Sequence, residues 1–158
     1  MTEDARFEDG VERSVKLRAL DGDDLAVISA LVQDSVLSGA DMRWVKSKRR
    51  FALLLNRYRW EDGERAARVG DHERVRSLLA IEDVVHVRAS GVERGAEDTV
   101  LSLLSVTFEA GEDGTGEVIL TFAGDGAIAI RVEALEVFLQ DVTRPYVAPS
   151  GKGPSHNL

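Results

Sequence analysis

Covalent catalysis by a side chain needs a nucleophile beside a base, with that base held by a third group. The chain of 158 residues has no cysteine and three scattered histidines, His72, His86 and His156. Ser38, Ser47, Ser77, Ser90, Ser102 and Ser105 stand in no glycine elbow. His86 is the one histidine inside a strand pattern, where it reads either as a general base on a sheet face or as a half-exposed strand residue among Val84, Val85 and Val87. The second reading is preferred, because nothing places a partner beside it. Hard cations need several carboxylates converging at ordered spacing. Asp21, Asp23 and Asp24 read instead as helix-capping acids, and Glu112 and Asp113 as solvated loop acids without the spacing of a calcium loop. Glu133 and Glu136 read as surface acids. Gly111, Gly114 and Gly116 form a glycine-rich loop, but a strand pattern follows it where a phosphate cradle requires a helix N-terminus. The sequence therefore predicts no catalytic residue, no metal ligand and no cofactor.

One stretch has an unusual composition. Met42 to Trp60 contains Arg43, Lys46, Lys48, Arg49, Arg50, Arg57 and Arg59 and no acid, together with Trp44, Phe51, Tyr58 and Trp60. Its formal charge is +7 within a chain of net −8, which leaves −15 elsewhere. Guanidinium and ammonium groups supply donors and charge to carboxylate or phosphate, and flat aromatic rings supply stacking surface. Arg43, Lys46, Lys48, Arg49, Arg50, Arg57, Tyr58, Arg59 and Trp60 are the candidate interaction surface. Strand alternation puts Asn56, Tyr58 and Trp60 on one face and Arg57 and Arg59 on the other, which weakens a nucleic-acid reading.

These side chains must be held by a folded frame. Apolar residues make up 44% and charged residues 30%, enough for a packed core. The apolar runs are too short for a transmembrane helix, and the acidic first residues lack the apolar core of a secretory signal. The absence of cysteine excludes a disulfide frame. The location these features imply is cytoplasmic. Ser14 to Leu20 alternates as a strand, with Val15, Leu17 and Ala19 on one face. Asp21 offers an N-cap to a helix over Asp23–Val36, in which Leu25, Ile28, Leu31 and Val32 recur at helical spacing and Ser29, Gln33 and Ala26 face outward. Met42–Lys46 and Arg50–Trp60 read as a hairpin. Glu73–Ser90 reads as strand with a break at Glu82–Asp83, and Thr99–Ala110 as a strand with Val100, Ser102, Leu104, Val106 and Phe108 on one face. Glu117–Ala123 and Ala127–Glu133 form a hairpin across Gly124-Asp125-Gly126. Ala134–Val142 fits a helix or a strand. The strand is preferred because Ile81-Glu82-x-Val84-x-x-Val87 is echoed by Val132-Glu133-x-Leu135-x-x-Phe138. The fold expected is α+β, a mostly antiparallel curved sheet or partly closed barrel of seven or eight strands with one main helix packed on it. It forms a single domain over 14–142, with an acidic flexible arm at 1–13 and a proline- and glycine-containing tail at 143–158.

Four segments, DDLAVISALVQDSV, RRFALLLNRYRWE, RVRSLLAIEDVVHVRASGV and VILTFAGDGAIAIRVEALEVFLQDV, together resemble an uncharacterised family of short proteobacterial proteins, the domain of unknown function numbered 2948. The resemblance runs from about Val15 to Val142. It implies a bacterial cytosolic single-domain protein and carries over no catalytic residue, cofactor or substrate.

The leading functional expectation is a non-catalytic module that binds a protein partner or itself through the basic, aromatic hairpin, since opposite charges held on different sides favour oriented contact. The alternative is a small-ligand or enzymatic pocket between the helix and the sheet, lined by Arg57, Tyr58, Arg59 and His86. Nucleic-acid binding is a lesser alternative, and membrane binding is not expected.

Overall fold

The computed structural model describes residues 14–58, 73–92, 99–142 and 146–147. In chain order the elements are β1 (Lys16–Ala19), α1 (Gly22–Val32), β2 (Ser35–Ser38), β3 (Met42–Val45), β4 (Arg50–Tyr58), β5 (Glu73–Ile81), β6 (Val84–Ser90), β7 (Val100–Ala110), β8 (Gly116–Phe122), β9 (Gly126–Val132), β10 (Val137–Asp141) and β11 (Tyr146–Val147). Among the described residues the architecture is an antiparallel sheet with one α-helix, and the eleven strands form one sheet in the order β1-β10-β5-β4-β2-β7-β8-β9-β6, with β3 added to β4 and β11 to β5. The count exceeds the seven or eight expected in part because β2 takes Ser35 and Val36 from the expected helix over Asp23–Val36, and β11 falls in the range expected as tail. The expected segments 1–13 and 61–72 lie outside the described residues, as does most of 143–158.

The helix starts where the sequence places it. The Asp21 carboxylate accepts the Asp24 N–H at 2.8 Å, satisfying one of the orphan donors of the first turn. Its apolar stripe, Leu25, Ile28 and Val32, is buried. Replacing Asp21 with alanine is expected to cost about 1 kcal/mol, read as a fall in urea midpoint at constant slope. The helix ends earlier than expected. Asp34 takes a left-handed φ of +65° and turns the chain into β2, so that Ser35 and Val36 become strand residues opposite Leu103 and Ser102. Ser29 does not face outward either: its hydroxyl accepts the backbone N–H of Val106 at 2.9 Å. The bond is needed because β2 covers β7 only as far as Leu103, leaving Val106 beyond the last paired residue.

Two chain crossings curl the sheet. β5 passes into β6 through Glu82 and Asp83, with Asp83 at φ +58°, and β9 passes into β10 through 133–136. Each crossing joins strands that stand far apart in the sheet order, so the two regions of sheet must fold towards one another. The echoed segments meet at this point: the Glu82 N–H donates to the Glu136 carbonyl at 2.9 Å and the Glu133 N–H to the Asp83 carbonyl at 3.0 Å. The ambiguous stretch 134–142 is thus a bend followed by strand, as the echo suggested. Closure goes no further. The first and last strands of the order, β1 and β6, do not pair, so the partly closed barrel is at most a loose description.

The concave face carries the core, including Leu53, Leu55, Leu79, Ile81, Leu103, Leu120, Phe122, Ile130 and Leu139, all at most 1% exposed. β7 departs from the expected alternation. Leu103 opposes Phe122 and Ser105 opposes Thr121, so Leu104 is an extra residue. The bulge changes the phase of the strand. Leu103 and Val106 both point inward, and Leu104 is turned out to 39% exposure. The β8–β9 hairpin forms as expected, with Gly124 at φ +87° and Asp125 at +72°. Gly124→Ala is expected to cost about 1–2 kcal/mol, because a Cβ is disfavoured in the left-handed region whatever the space around it, a loss measurable by thermal melting.

Candidate functional site

The basic hairpin is built as a hairpin. Met42, Arg43, Trp44 and Val45 of β3 pair with Leu53, Ala52, Phe51 and Arg50 of β4. Lys46–Lys48 makes a single tight turn, and Arg49 closes it in the left-handed region at φ +53°. The structure then separates the predicted surface into four environments.

Arg57 is the clearest departure. It lies on the same face of β4 as Phe51, Leu53 and Leu55, and it is fully buried. Its Nη2 donates to both carboxylate oxygens of Asp141, at 2.9 and 3.1 Å. Its Nε donates to Ser77 Oγ at 2.9 Å and Nη1 to the Tyr58 carbonyl at 3.2 Å. Ser77 Oγ donates in turn to Asp141 at 2.7 Å, and the Val15 N–H donates to the same carboxylate at 2.8 Å. One buried charge pair therefore ties together β4, β5, β10 and the entry to β1. An arginine can occupy the inner face because its fork is matched by a carboxylate whose remaining lone pairs are also filled. Arg57 cannot belong to an exposed strip.

Arg49 and Arg50 are exposed or half-exposed and paired, the first to Glu133 and the second to Glu82 at 2.8 Å. The hydrogen bond to Glu133 and its charge raise the Arg49 pKa. These contacts, with the Val84 N–H donating to the Arg49 carbonyl at 2.9 Å, fasten the tip of the hairpin to the two crossings. Tyr58 sits at the opposite end of β4, about 27 Å along the strand from Arg50, with the Arg74 guanidinium 4.0 Å over its ring. Arg59 and Trp60 lie outside the described residues.

Arg43, Lys46 and Lys48 remain. All three are exposed, and among the described residues no carboxylate lies within ion-pair distance of them. Among the described residues the charge separation inferred from composition thus contracts to these three groups, because Arg49, Arg50 and Arg57 are paired within the molecule. They border a recess of about 310 Å³ between β3 and β6, walled by Met42, Arg43, Trp44 and Lys46 and floored by Phe51, Val87, Ala89 and Ile128. Among the described residues β3 pairs only with β4, and β6 only with β9, so two strand edges without a described partner flank the recess. It marks the gap where the curled sheet fails to close. Trp44 spans the gap. Its ring meets His86 edge-on at 6.3 Å, and the Lys46 ammonium lies 4.6 Å over it. The indole Nε1 is buried without a hydrogen-bond partner. Arg43 and Lys46 are cationic donors beside the recess, so a group that pairs with them must bring acceptors.

The chain belongs to the DUF2948 family. That family's model, described as a protein of unknown function, matches residues 15–156. No curated protein and no solved structure matches the chain. The DUF2948 assignment agrees with the resemblance carried by the four quoted segments, and it brings no activity with it. The chemistry has to be read from the side chains of this member.

Those side chains form no cluster able to hold a metal among the described residues. No described helix is long and apolar enough to cross a membrane. Glu133 and Glu136, read above as surface acids, are each paired with an arginine, Arg49 and Arg18 respectively. A groove of about 520 Å³ does lie between α1 and β7, but Leu25, Ser29, Gln33, Leu104, Val106 and Phe108 are among its walls. Arg57, Tyr58 and His86 do not line it, and Arg59 lies outside the described residues, so the groove lacks the described part of the polar lining expected between helix and sheet. The sequence singled out Arg43, Lys46 and Lys48 by charge. It did not single out Trp44, which packs partly buried against the core and lines the recess. The available signal was the absence of any acid from the segment around that tryptophan.

Proposed function

We propose that this DUF2948 chain is a non-catalytic binding module whose recess between β3 and β6 receives an acidic segment of a protein partner. The observation that carries the reading is the pair of cations at the recess, Arg43 and Lys46, without an acid in ion-pair contact among the described residues and beside an apolar floor. Carboxylates would face the two cations, and an apolar side chain would cover Phe51, Val87 and Ile128. The open strand edges of β3 and β6 favour an extended segment, because a peptide laid along an edge gains main-chain hydrogen bonds. A nucleic-acid ligand is favoured less, since Tyr58 lies far along β4 from these cations.

The test uses a dye-labelled eight-residue peptide carrying one phenylalanine among aspartates and glutamates. Binding to the full chain is expected at low salt and is expected to weaken on raising ionic strength. The double change Arg43→Glu with Lys46→Glu is expected to reduce affinity at least about tenfold, with an unchanged thermal midpoint showing that the fold is intact. Equal affinity of the charge-reversed and original chains would end the reading.

A further inference from the structure

Val87 and Ala89 of β6 line the recess with their side chains. Their main-chain groups face the same gap. The Glu133 N–H donates towards β6, to the Asp83 carbonyl, and alternation along β9 aims Arg131, Ala129 and Ala127 the same way, onto His86, Arg88 and Ser90. Val87 and Ala89 therefore turn their N–H and C=O groups away from β9, and among the described residues β6 has no strand on that side. The Val84 N–H, bonded to the Arg49 carbonyl, marks where this open edge begins.

Polarity divides across the same strand. His86 and Arg88 are exposed on its outer face, Arg88 paired with Glu117 at 3.1 Å, and Arg43 is exposed on β3 across the recess. The inner face meets Phe51 and Ile128. Resting on the reading just given and deepening it, we infer that the acidic partner joins β6 as a further strand, hydrogen-bonded to Val87 and Ala89, and that its sequence alternates acidic with apolar residues. Successive side chains of a strand point to opposite faces. Apolar residues at every second position cover the floor, while the acids between them stand on the outer face beside Arg43 and Arg88, where opposite charges on neighbouring strands attract. A segment of the same composition with its apolar residues consecutive would turn an acid onto Phe51 and Ile128, at a desolvation cost that the alternating segment avoids.

Two dye-labelled peptides of one composition and one net charge separate strand addition from charge attraction alone. They are EVDFEVDE, which alternates, and EEDVFVDE, in which the apolar residues are consecutive. The full chain is expected to bind the alternating peptide at least about tenfold more tightly at low salt. Hydrogen exchange at the Val87 and Ala89 N–H groups is expected to slow at least about tenfold when that peptide saturates the chain. Equal affinities, a preference for the consecutive peptide, or unchanged exchange at Val87 and Ala89 with peptide bound overturns strand addition to β6 and leaves the acidic-partner reading standing. If neither peptide binds, strand addition is overturned, and the acidic-partner reading falls with it only if the one-phenylalanine probe also fails to bind.

Discussion

Replacing Arg57 with methionine while keeping Asp141 is expected to lower the free energy of unfolding by about 3–5 kcal/mol. The loss comes from the carboxylate left behind. Asp141 would keep the Ser77 hydroxyl and the Val15 N–H as donors, but it would be a buried anion without its counter-charge. Asp141→Asn is expected to harm the protein for the mirror-image reason, removing the Asp141 charge from beside a guanidinium that is fully buried. The combined change Arg57→Met, Asp141→Leu and Ser77→Ala removes all three polar side chains together. It is expected to recover most of the lost stability, because a well-packed apolar set often equals a buried ion pair. Urea denaturation of the three proteins checks the argument. If the single change Arg57→Met costs less than about 1 kcal/mol, the pair is not holding the four strands as the geometry implies.

Phe122→Ala is expected to cost about 3–5 kcal/mol. Phe122 is 1% exposed, ends β8 opposite Leu103, and packs where the β7 bulge resets the alternation of that strand. Removing the ring would leave a cavity that the neighbouring strands cannot fill, since their hydrogen-bonded ladders fix the spacing. By contrast, Leu104→Ala is expected to change stability by less than about 0.5 kcal/mol, although the unbroken alternation would place Leu104 on the same face as Val106. Comparing the two by calorimetry tests the bulge directly: a large effect at Leu104 would mean that the strand keeps its alternation and has no extra residue.

The charged hairpin shows how far composition can be followed into three dimensions. Seven cations within nineteen residues are a fact of the sequence, and so is the absence of acids among them. Their fates diverge because each depends on residues far away in the chain. Arg57 meets Asp141, 84 positions later. Arg49 meets Glu133 and Arg50 meets Glu82. Arg43, Lys46 and Lys48 meet no described carboxylate. Strand alternation correctly placed Arg57 on the face opposite Asn56 and Tyr58, but it could not say which of those faces was the inner one. A run of leucines before Arg57 marked both faces as apolar, so the inward direction was undetermined until β5 and β10 were in place.

Local chemistry fixed what depends on neighbours in the chain: the Asp21 cap, the stripe of α1, the glycine hairpin between β8 and β9, and the break at Glu82–Asp83. The curl of the sheet, the bulge at Leu104, the buried Arg57–Asp141 pair and the unclosed gap beside Trp44 came only with the tertiary structure. Each of these is settled by pairing between segments tens of residues apart. A strand's periodicity specifies two faces, whereas only its partners specify which face is covered and which edge is left open.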